Sequence, residues 1–249
     1  MNILLSGCNG GMGKAISNLV SGMNDVSIAA GFDSKPSNDH PFPVFTDLSK
    51  MTEDIDVVID FSHFSAFDAI VDYSLKNKTP LVMATTGLTD DDEQSLINIS
   101  GQIPVFRTAN MSIGINVMLG LVSQAEKLLK GFDIEIIEKH HNKKLDSPSG
   151  TALMLANELN NSSEKRYDFI YGREGKSTKR QENEIGIHAV RGGTIAGEHT
   201  VIYAGEDEIV EIKHSAASKA VFAKGAIEAA KFIYKKENGL YDMKKMLGL

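Results

Sequence analysis

The stretch Asn2-Ile3-Leu4-Leu5-Ser6-Gly7-Cys8-Asn9-Gly10-Gly11-Met12-Gly13 decides the fold of the first half of the chain. An apolar run of strand length leads directly into closely spaced glycines, and an amphipathic segment follows them. A strand, a glycine turn and a helix in this order are the context that a dinucleotide-binding turn requires. Glycines have no Cβ atom, so a pyrophosphate can approach the backbone and the N–H groups that open the helix.

The spacing of these glycines is one residue wider than the usual G-x-G-x-x-G pattern between Gly7 and Gly10. By themselves the glycines are explained equally well by an ordinary tight turn. Asp33 favours the cofactor interpretation, because it lies twenty positions after Gly13, at the predicted end of the second strand. A carboxylate there can accept hydrogen bonds from an adenosine ribose and favours NADH. Lys35 is close enough to meet a 2′-phosphate, so NADPH stays open.

Apolar runs alternate with amphipathic segments through the first 107 residues, which is the pattern of a parallel sheet covered by helices on both faces. The predicted strands are residues 2–6, 26–31, 57–61, 80–84 and 104–107. The predicted helices are residues 12–23, 64–77 and 90–99. We predict a doubly wound, Rossmann-like α/β domain over residues 1–109.

Polar motifs follow three of the predicted strands: Asp60-Phe61-Ser62, Ala84-Thr85-Thr86-Gly87 and Thr108-Ala109-Asn110-Met111. The carboxyl ends of the strands form the edge at which open α/β sheets bind ligands. Each motif alone is typical of a plain turn. Three of them at one edge, after a glycine loop, indicate a continuous cofactor groove.

The pattern changes after Asn110. A long helix is predicted over residues 113–129, then a strand over 133–139 and a helix over 149–159. Residues 184–190, 198–203 and 208–214 are predicted as antiparallel strands joined by glycine turns. We therefore expect a second, α+β domain over residues 110–215 with a mostly antiparallel sheet. A last helix, capped by Ser218, is expected to return to the first domain, which would then include residues 216–249.

The segment from Glu138 to Thr151 carries the strongest chemical signal of the second domain. His140 and His141 form an imidazole pair that can exchange protons near neutral pH, and Lys144 can donate a proton or bind a carboxylate. If the strand continues through the pair, the two imidazoles point to opposite faces and have different roles. Ser149, Gly150 and Thr151 precede a helical pattern, whose opening N–H groups can bind a carboxylate. A solvated histidine pair and a plain helix cap are the structural alternatives.

Composition limits the functional classes. The formal net charge is -7 and the chain has a single cysteine, Cys8. The charge disfavours a nucleic-acid partner, and one cysteine excludes an internal disulfide framework. We find no zinc-binding spacing and assign no metal. The apolar start of the chain is too short to span a membrane, so we expect a soluble, cytoplasmic protein with no membrane partner.

Nearly the whole chain resembles the dihydrodipicolinate reductase family. The resemblance rests on the glycine loop, the three polar motifs, Glu138-Lys139-His140-His141 through Ser149-Gly150-Thr151, and the segment Glu184 to Gly193. It implies a two-domain oxidoreductase, usually a homotetramer, that reduces a cyclic dicarboxylate with NADH or NADPH.

The resemblance also implies roles for individual residues. His140 and Lys144 would be catalytic. Substrate binding would fall to His141, Lys144, Ser149, Gly150 and Thr151. The cofactor-binding positions would be Gly7, Cys8, Asn9, Gly10, Gly11, Met12, Asp33, Phe61, Ala84, Thr85, Thr86, Thr108, Ala109, Asn110, Met111 and Lys219. Lys219 stands where an arginine is common in the family.

Two alternatives remain at this point. A regulatory protein that senses NADH would keep the cofactor groove without catalysis. Another reductase of amino or imino acids, such as an aspartate dehydrogenase, would share the first domain but is not expected to contain the segment from His140 to Thr151.

Overall fold

The computed structural model describes residues 1–176 and 179–249, which form two compact units. The first unit contains residues 1–113 and 219–249, and the second contains residues 114–218. The predicted boundaries fall at residues 109/110 and 215/216. That the first unit binds the cofactor and the second binds the substrate remains a prediction.

The described residues contain the following elements. The strands are Asn2–Ser6 (β1), Ser27–Phe32 (β2), Val44–Phe45 (β3), Val57–Asp60 (β4), Leu81–Met83 (β5), Pro104–Arg107 (β6), Asp133–His140 (β7), Asp168–Ile170 (β8), Glu184–Arg191 (β9), Gly197–Ala204 (β10), Ile209–Ala216 (β11) and Gly239–Tyr241 (β12). The α-helices are Gly11–Val20 (α1), Phe67–Asn77 (α2), Asp90–Ile99 (α3), Ile113–Leu128 (α4), Gly150–Ser162 (α5), Ala220–Ile233 (α6) and Met243–Leu247 (α7).

The first unit is built on a parallel sheet of seven strands in the order β12-β6-β5-β4-β1-β2-β3. Side chains alternate between its faces along each strand. Ile3 and Leu5 pack with α1 and α6 on one face, whereas Leu4 packs with α2 and α3 on the other. Helices therefore cover both faces, and the predicted Rossmann-like α/β class is confirmed.

Some local features of this unit differ from the sequence prediction. Strands β3 and β12 were not predicted, because each has only two or three residues and lies at an edge of the sheet, where backbone pairing places it without a distinctive side-chain pattern. Helix α6 begins at Ala220, with Lys219 rather than Ser218 at its N-cap position. The expected serine cap was wrong. The helix still returns to the first unit and packs against α1.

The second unit has a five-stranded sheet in the order β11-β10-β7-β9-β8. Strand β10 pairs antiparallel with both β11 and β7, but β9 runs parallel to β7 and β8. The sheet is mixed, so the prediction of a mostly antiparallel sheet was wrong. The reason is that the chain passes from β7 through α5 to β8, and β9 then pairs parallel with both β7 and β8. Strand β7 separates β9 from β10, so those two strands are not neighbours.

One face of this sheet carries the core of the second unit. Ile134 and Ile136 of β7 pack against α4 and α5 together with apolar residues of β9 and β10. Glu138 and His140 follow on the same face of β7, because the side-chain period of a strand is two residues. The core therefore leads directly to the polar end of β7.

Within residues 1–176 and 179–249, no helix is both long enough and apolar enough to cross a membrane.

Candidate active site

A groove of about 390 Å³ lies in the first unit at the carboxyl ends of its central strands. It is lined by Met12, Phe61, Ser62, Ala84, Thr85, Thr86, Thr108, Ala109, Asn110, Met111, Lys219 and Phe222. These residues come from α1, from the turns after β4, β5 and β6, and from the start of α6. The structure thus brings together ten of the predicted cofactor residues at the sheet edge where open α/β folds bind ligands.

Two positions of the glycine loop require glycine for steric reasons. Gly7 has φ +76, and a Cβ atom there would lie 2.5 Å from the Phe61 carbonyl oxygen. A Cβ on Gly13 would lie 2.4 Å from the carbonyl oxygens of both Gly7 and Cys8. Only glycine fits at either position, because these neighbours are backbone atoms. The turn therefore brings the loop close to the first turn of α1, as a phosphate-binding loop requires.

The residues between these glycines contact the loop that carries Asp33. The Asn9 backbone N–H donates to Asp33 Oδ2 at 3.0 Å, and the Asn9 side chain donates to the Lys35 carbonyl oxygen at 2.9 Å. The Cys8 thiol is fully buried against Gly31. Burial, with the nearby Asp33 carboxylate, raises the pKa of Cys8 to about 11. Only the Cys8 backbone is therefore placed to meet a ligand.

A buried hydrogen-bond network fixes the turns that line the groove. Thr85 Oγ1 donates to Asp60 Oδ2 at 2.6 Å and to the Ser62 carbonyl oxygen at 3.0 Å. Asp60 is fully buried and Thr85 nearly so. Arg107 Nη1 donates to the Thr85 carbonyl oxygen at 2.8 Å. The Asp60 and Thr85 motifs therefore support each other, and the Thr85 hydroxyl holds the scaffold rather than facing the groove.

Lys219 supplies a positive charge beside the glycine loop. Its Nζ lies 3.9 Å from the position that a Cβ atom on Gly11 would take. An ammonium beside the N-terminus of α1 provides the electrostatic environment of an anion site. Sequence spacing alone could not place this lysine next to the loop, because more than 200 residues separate them.

In the second unit, His140 is bound to a buried carboxylate. Its Nδ1 lies 2.6 Å from Glu138 Oε2. Arg191 binds both oxygens of Glu138, with Nη1 at 2.7 Å and Nη2 at 2.6 Å, and the Ser149 N–H donates to Oε1 at 3.0 Å. Burial would raise the pKa of Glu138, but the hydrogen bonds from Arg191, His140 and Ser149 hold it below its usual value. Glu138 is therefore ionised at neutral pH.

A second buried histidine lies beside this group. The rings of His140 and His199 are 5.2 Å apart in an edge-to-face arrangement, and His199 Nε2 lies 2.9 Å from Ser149 Oγ. Burial, with the electrostatic influence of the neighbouring His140, lowers the pKa of His199 to about 4. His199 is therefore neutral at pH 7. Ser149 itself is buried and caps α5, where its Oγ accepts from the Ala152 N–H at 3.2 Å.

Lys144 lies in the loop between β7 and α5. Its Nζ is 2.8 Å from Asp146 Oδ1. The hydrogen bond from Lys144 is the main cause that lowers the pKa of Asp146 below its usual value. The Asp146 carbonyl oxygen accepts from Arg191 Nη2 at 2.8 Å, so Arg191 connects this loop to Glu138. His140, Lys144 and the first turn of α5 are thus joined through one network of contacts.

The remaining predicted substrate residues occupy the same loop and helix start. Strand β7 ends at His140, so His141 belongs to the loop, where its carbonyl oxygen accepts from the Lys144 N–H at 3.1 Å. Gly150 and Thr151 form the first turn of α5, and no atom lies within 4 Å of a Cβ built on Gly150. His140 is buried whereas His141 is half-exposed, so the two imidazoles have different environments.

Four residues of this network were missed from the sequence: Glu138, Asp146, Arg191 and His199. Glu138 carried a usable signal, because it lies two positions before His140 and therefore on the same strand face. Arg191 and His199 carried none, because β9 and β10 come to flank β7 only through the order of strands in the mixed sheet. Arg191 reaches Glu138 across 53 residues of sequence.

A Rossmann-like unit with a groove at its strand ends, and a second unit that carries a carboxylate-bound histidine, are the parts of a nicotinamide-dependent oxidoreductase. The first unit matches the family model "Dihydrodipicolinate reductase, N-terminus" over residues 1–111, and residues 114–247 match "Dihydrodipicolinate reductase, C-terminus". The chain therefore belongs to the dihydrodipicolinate reductase family.

Similar proteins cover the chain almost completely. A 4-hydroxy-tetrahydrodipicolinate reductase of Caldanaerobacter subterraneus is 48% identical over 249 residues, which cover 99% of this chain and 98% of that protein. A reductase of the same name from Clostridium tetani is also 48% identical, over 99% of this chain and 97% of its own length.

Solved structures share the fold. The dipicolinate-bound dihydrodipicolinate reductase from Paenisporosarcina sp. TG-14 matches with a TM-score of 0.82 at 22% identity, covering 98% of both chains. An amine dehydrogenase from Mycobacterium smegmatis matches with a TM-score of 0.63 at 8% identity, covering 98% of this chain and 95% of the other. At these identities the structures show a common architecture only.

Proposed function

We propose that this chain reduces (2S,4S)-4-hydroxy-2,3,4,5-tetrahydrodipicolinate to (S)-2,3,4,5-tetrahydrodipicolinate with NADH or NADPH, a step of lysine biosynthesis through diaminopimelate. The observation that carries the proposal is the network that joins His140, Lys144 and the start of α5, in a chain 48% identical along its length to reductases of that name. Loss of water from the 4-hydroxy substrate leaves a conjugated ring. Addition of a hydride and a proton to that ring then gives the product.

The groove of the first unit fits a dinucleotide. The glycines at positions 7 and 13 let the loop pack closely against the backbone of Phe61 and of the loop itself, and Lys219 provides a cation beside Gly11. Gly7 through Met12 would hold the pyrophosphate, and Asp33 the adenosine ribose. The turns after β4, β5 and β6 would line the nicotinamide end. When bound, the nicotinamide ring supplies the hydride.

The proton chemistry is assigned to the second unit. Because Glu138 is ionised and lies at Nδ1, it fixes the His140 tautomer with a proton on Nδ1 and leaves Nε2 as the exchanging atom. In this mechanism His140 or Lys144 delivers the proton as the enamine-like product forms. A positioned general acid typically contributes about 10² to 10⁴ in rate.

The two carboxylates of the substrate require cationic and N–H donors. Lys144 provides an ammonium, and Gly150 and Thr151 provide N–H groups at the start of α5. His141 is assigned to substrate binding from the half-exposed loop. Ser149 supports this turn through its cap to Ala152 and its contact with His199. This arrangement matches a planar dicarboxylate such as pyridine-2,6-dicarboxylate, the ligand named for the Paenisporosarcina structure.

Initial-rate kinetics test the function directly. Enzymatically generated 4-hydroxy-tetrahydrodipicolinate should be reduced with NADH, NADPH or both, and oxidation of the cofactor should depend on that substrate. Cofactor binding without substrate-dependent oxidation would instead indicate a sensor. Protection against thermal unfolding by pyridine-2,6-dicarboxylate is expected, because a ligand that prefers the native state stabilises it.

We also propose a homotetramer located in the cytoplasm. The face of the five-stranded sheet opposite the core supports the oligomer, because it presents apolar side chains to solvent. Ile209 is 67% exposed and Val190 is 44% exposed. Contact with another copy of the chain would remove this apolar surface from water, which favours association. Light scattering after size-exclusion chromatography should give four times the mass of 27.1 kDa.

A further inference from the structure

The Asp146 carboxylate contacts a group that the proposed function assigns to the substrate. Its Oδ1 is 2.8 Å from Lys144 Nζ. An ammonium is the kind of donor that binds a carboxylate of the substrate. An internal carboxylate therefore contacts the cation expected to bind an external one.

The backbone of Asp146 is held independently of its side chain. Its carbonyl oxygen accepts from Arg191 Nη2 at 2.8 Å, and the same guanidinium binds Glu138. The Asp146 side chain is 58% exposed, whereas that of Lys144 is 21% exposed. The carboxylate can consequently rotate into solvent while the loop and Lys144 keep their positions.

The strength of this contact suits a replaceable partner. An ion pair with one exposed member contributes little to stability, because water and salt compete for it. A carboxylate that has to displace Asp146 should therefore bind only a few-fold more weakly than it would bind to an unpaired Lys144. The apparent affinity for an added carboxylate equals its intrinsic affinity multiplied by the fraction of molecules in which Lys144 is not paired with Asp146.

We propose that Asp146 is an internal occupant of the substrate-carboxylate site, paired with Lys144 until the dicarboxylate displaces it. This inference rests on the proposed function, because it takes the Lys144 ammonium as part of the substrate site. The occupant keeps the Lys144 ammonium paired between turnovers, and its return assists release of the product.

Binding of pyridine-2,6-dicarboxylate to the full chain, measured by titration calorimetry, tests the proposal. Asp146→Asn removes the internal carboxylate and should bind the ligand about three- to tenfold more tightly than the unmodified chain. Glu164→Gln is the matched control, because Glu164 forms an exposed pair with Lys130 in the same unit at 3.1 Å. It should bind with unchanged affinity.

A second measurement follows the lysine itself. Without ligand, Lys144 should react faster with an amine-methylating reagent in Asp146→Asn than in the unmodified chain, while Lys130 reacts at the same rate in both. Mass spectrometry of the digested protein reports each lysine separately. Equal Lys144 labelling in the two proteins would contradict the pairing.

The outcomes separate this inference from the proposed function. If the unmodified chain binds no pyridine-2,6-dicarboxylate, the proposed function fails. If it binds the ligand but Asp146→Asn binds equally or more weakly, only the role of Asp146 is overturned, because weaker binding would mean that Asp146 orients Lys144 for the substrate. A thermal unfolding curve for each variant confirms that it is folded.

Discussion

The Glu138 carboxylate lies 2.6 Å from His140 Nδ1, two residues along the same strand. Glu138 is fully buried, and Arg191 binds both of its oxygens. An ionised acid in this position determines which ring nitrogen of His140 carries the proton. The proposed proton chemistry therefore depends on a residue that has no role of its own in substrate binding.

Glu138→Gln should lower kcat on the order of 10- to 100-fold, because a neutral amide cannot hold His140 and Arg191 as the carboxylate does. The variant should also lose about 3–5 kcal/mol of stability, since Arg191 is left with an unpaired charge. Steady-state kinetics well below the unfolding midpoint measure the first effect. NADH binding, followed by fluorescence, should be unchanged.

Glu135→Gln is the matched control. Glu135 lies on the opposite face of β7 and also binds an arginine and a histidine, with Arg173 Nη1 at 2.9 Å and His188 Nε2 at 2.7 Å. The Glu135→Gln variant should be less stable than the unmodified chain but keep its kcat, provided that its oligomeric state is unchanged. Equal losses of kcat in the two variants would remove the specific role of Glu138.

Gly13→Ala should destabilise the first unit and weaken NADH binding at least about tenfold. The added methyl group meets two backbone carbonyl oxygens at 2.4 Å, and overpacking of this kind typically costs about 1–3 kcal/mol. Thermal unfolding and NADH titration measure the two effects. Gly22→Ala, at the end of α1, places its methyl group 3.8 Å from the Leu19 carbonyl oxygen and should change neither. Normal NADH affinity in Gly13→Ala would contradict the assigned phosphate loop.

His199 should make stability depend on pH. Its pKa is lowered by burial from 6.5 to about 4, so the unfolded chain binds more protons than the folded chain between these values. Stability from this residue is therefore present above pH 6.5 and is lost as the pH falls, by about 2 kcal/mol at pH 5. Denaturant unfolding at pH 7 and pH 5 measures the loss.

His199→Gln keeps a polar group near Ser149 but does not titrate. It should lose less stability than the unmodified chain between pH 7 and pH 5. An identical loss in both proteins would show that other groups account for the acid sensitivity.

The sequence predicts the fold class and the five longer strands of the first unit because their signals are local. The glycine loop, Asp33 and the polar strand ends follow a repeating order of strand and helix, and their spacing places them at one sheet edge. The second unit depends on long-range pairing. Strand β9 pairs parallel with one side of β7 and β10 pairs antiparallel with the other, and these pairings bring Arg191 and His199 beside His140. No local pattern of residues predicts such a strand order, so the sheet was misassigned and these partners were missed.

Steady-state kinetics of His140→Ala and Lys144→Ala on enzymatically generated 4-hydroxy-tetrahydrodipicolinate, with NADH affinity measured in parallel, test most directly whether these residues deliver the proton. We expect kcat to fall by about 10² to 10⁴ in at least one of the variants, while the NADH dissociation constant stays within a few-fold of the unmodified value. Near-normal turnover in both variants would contradict the proposed proton delivery.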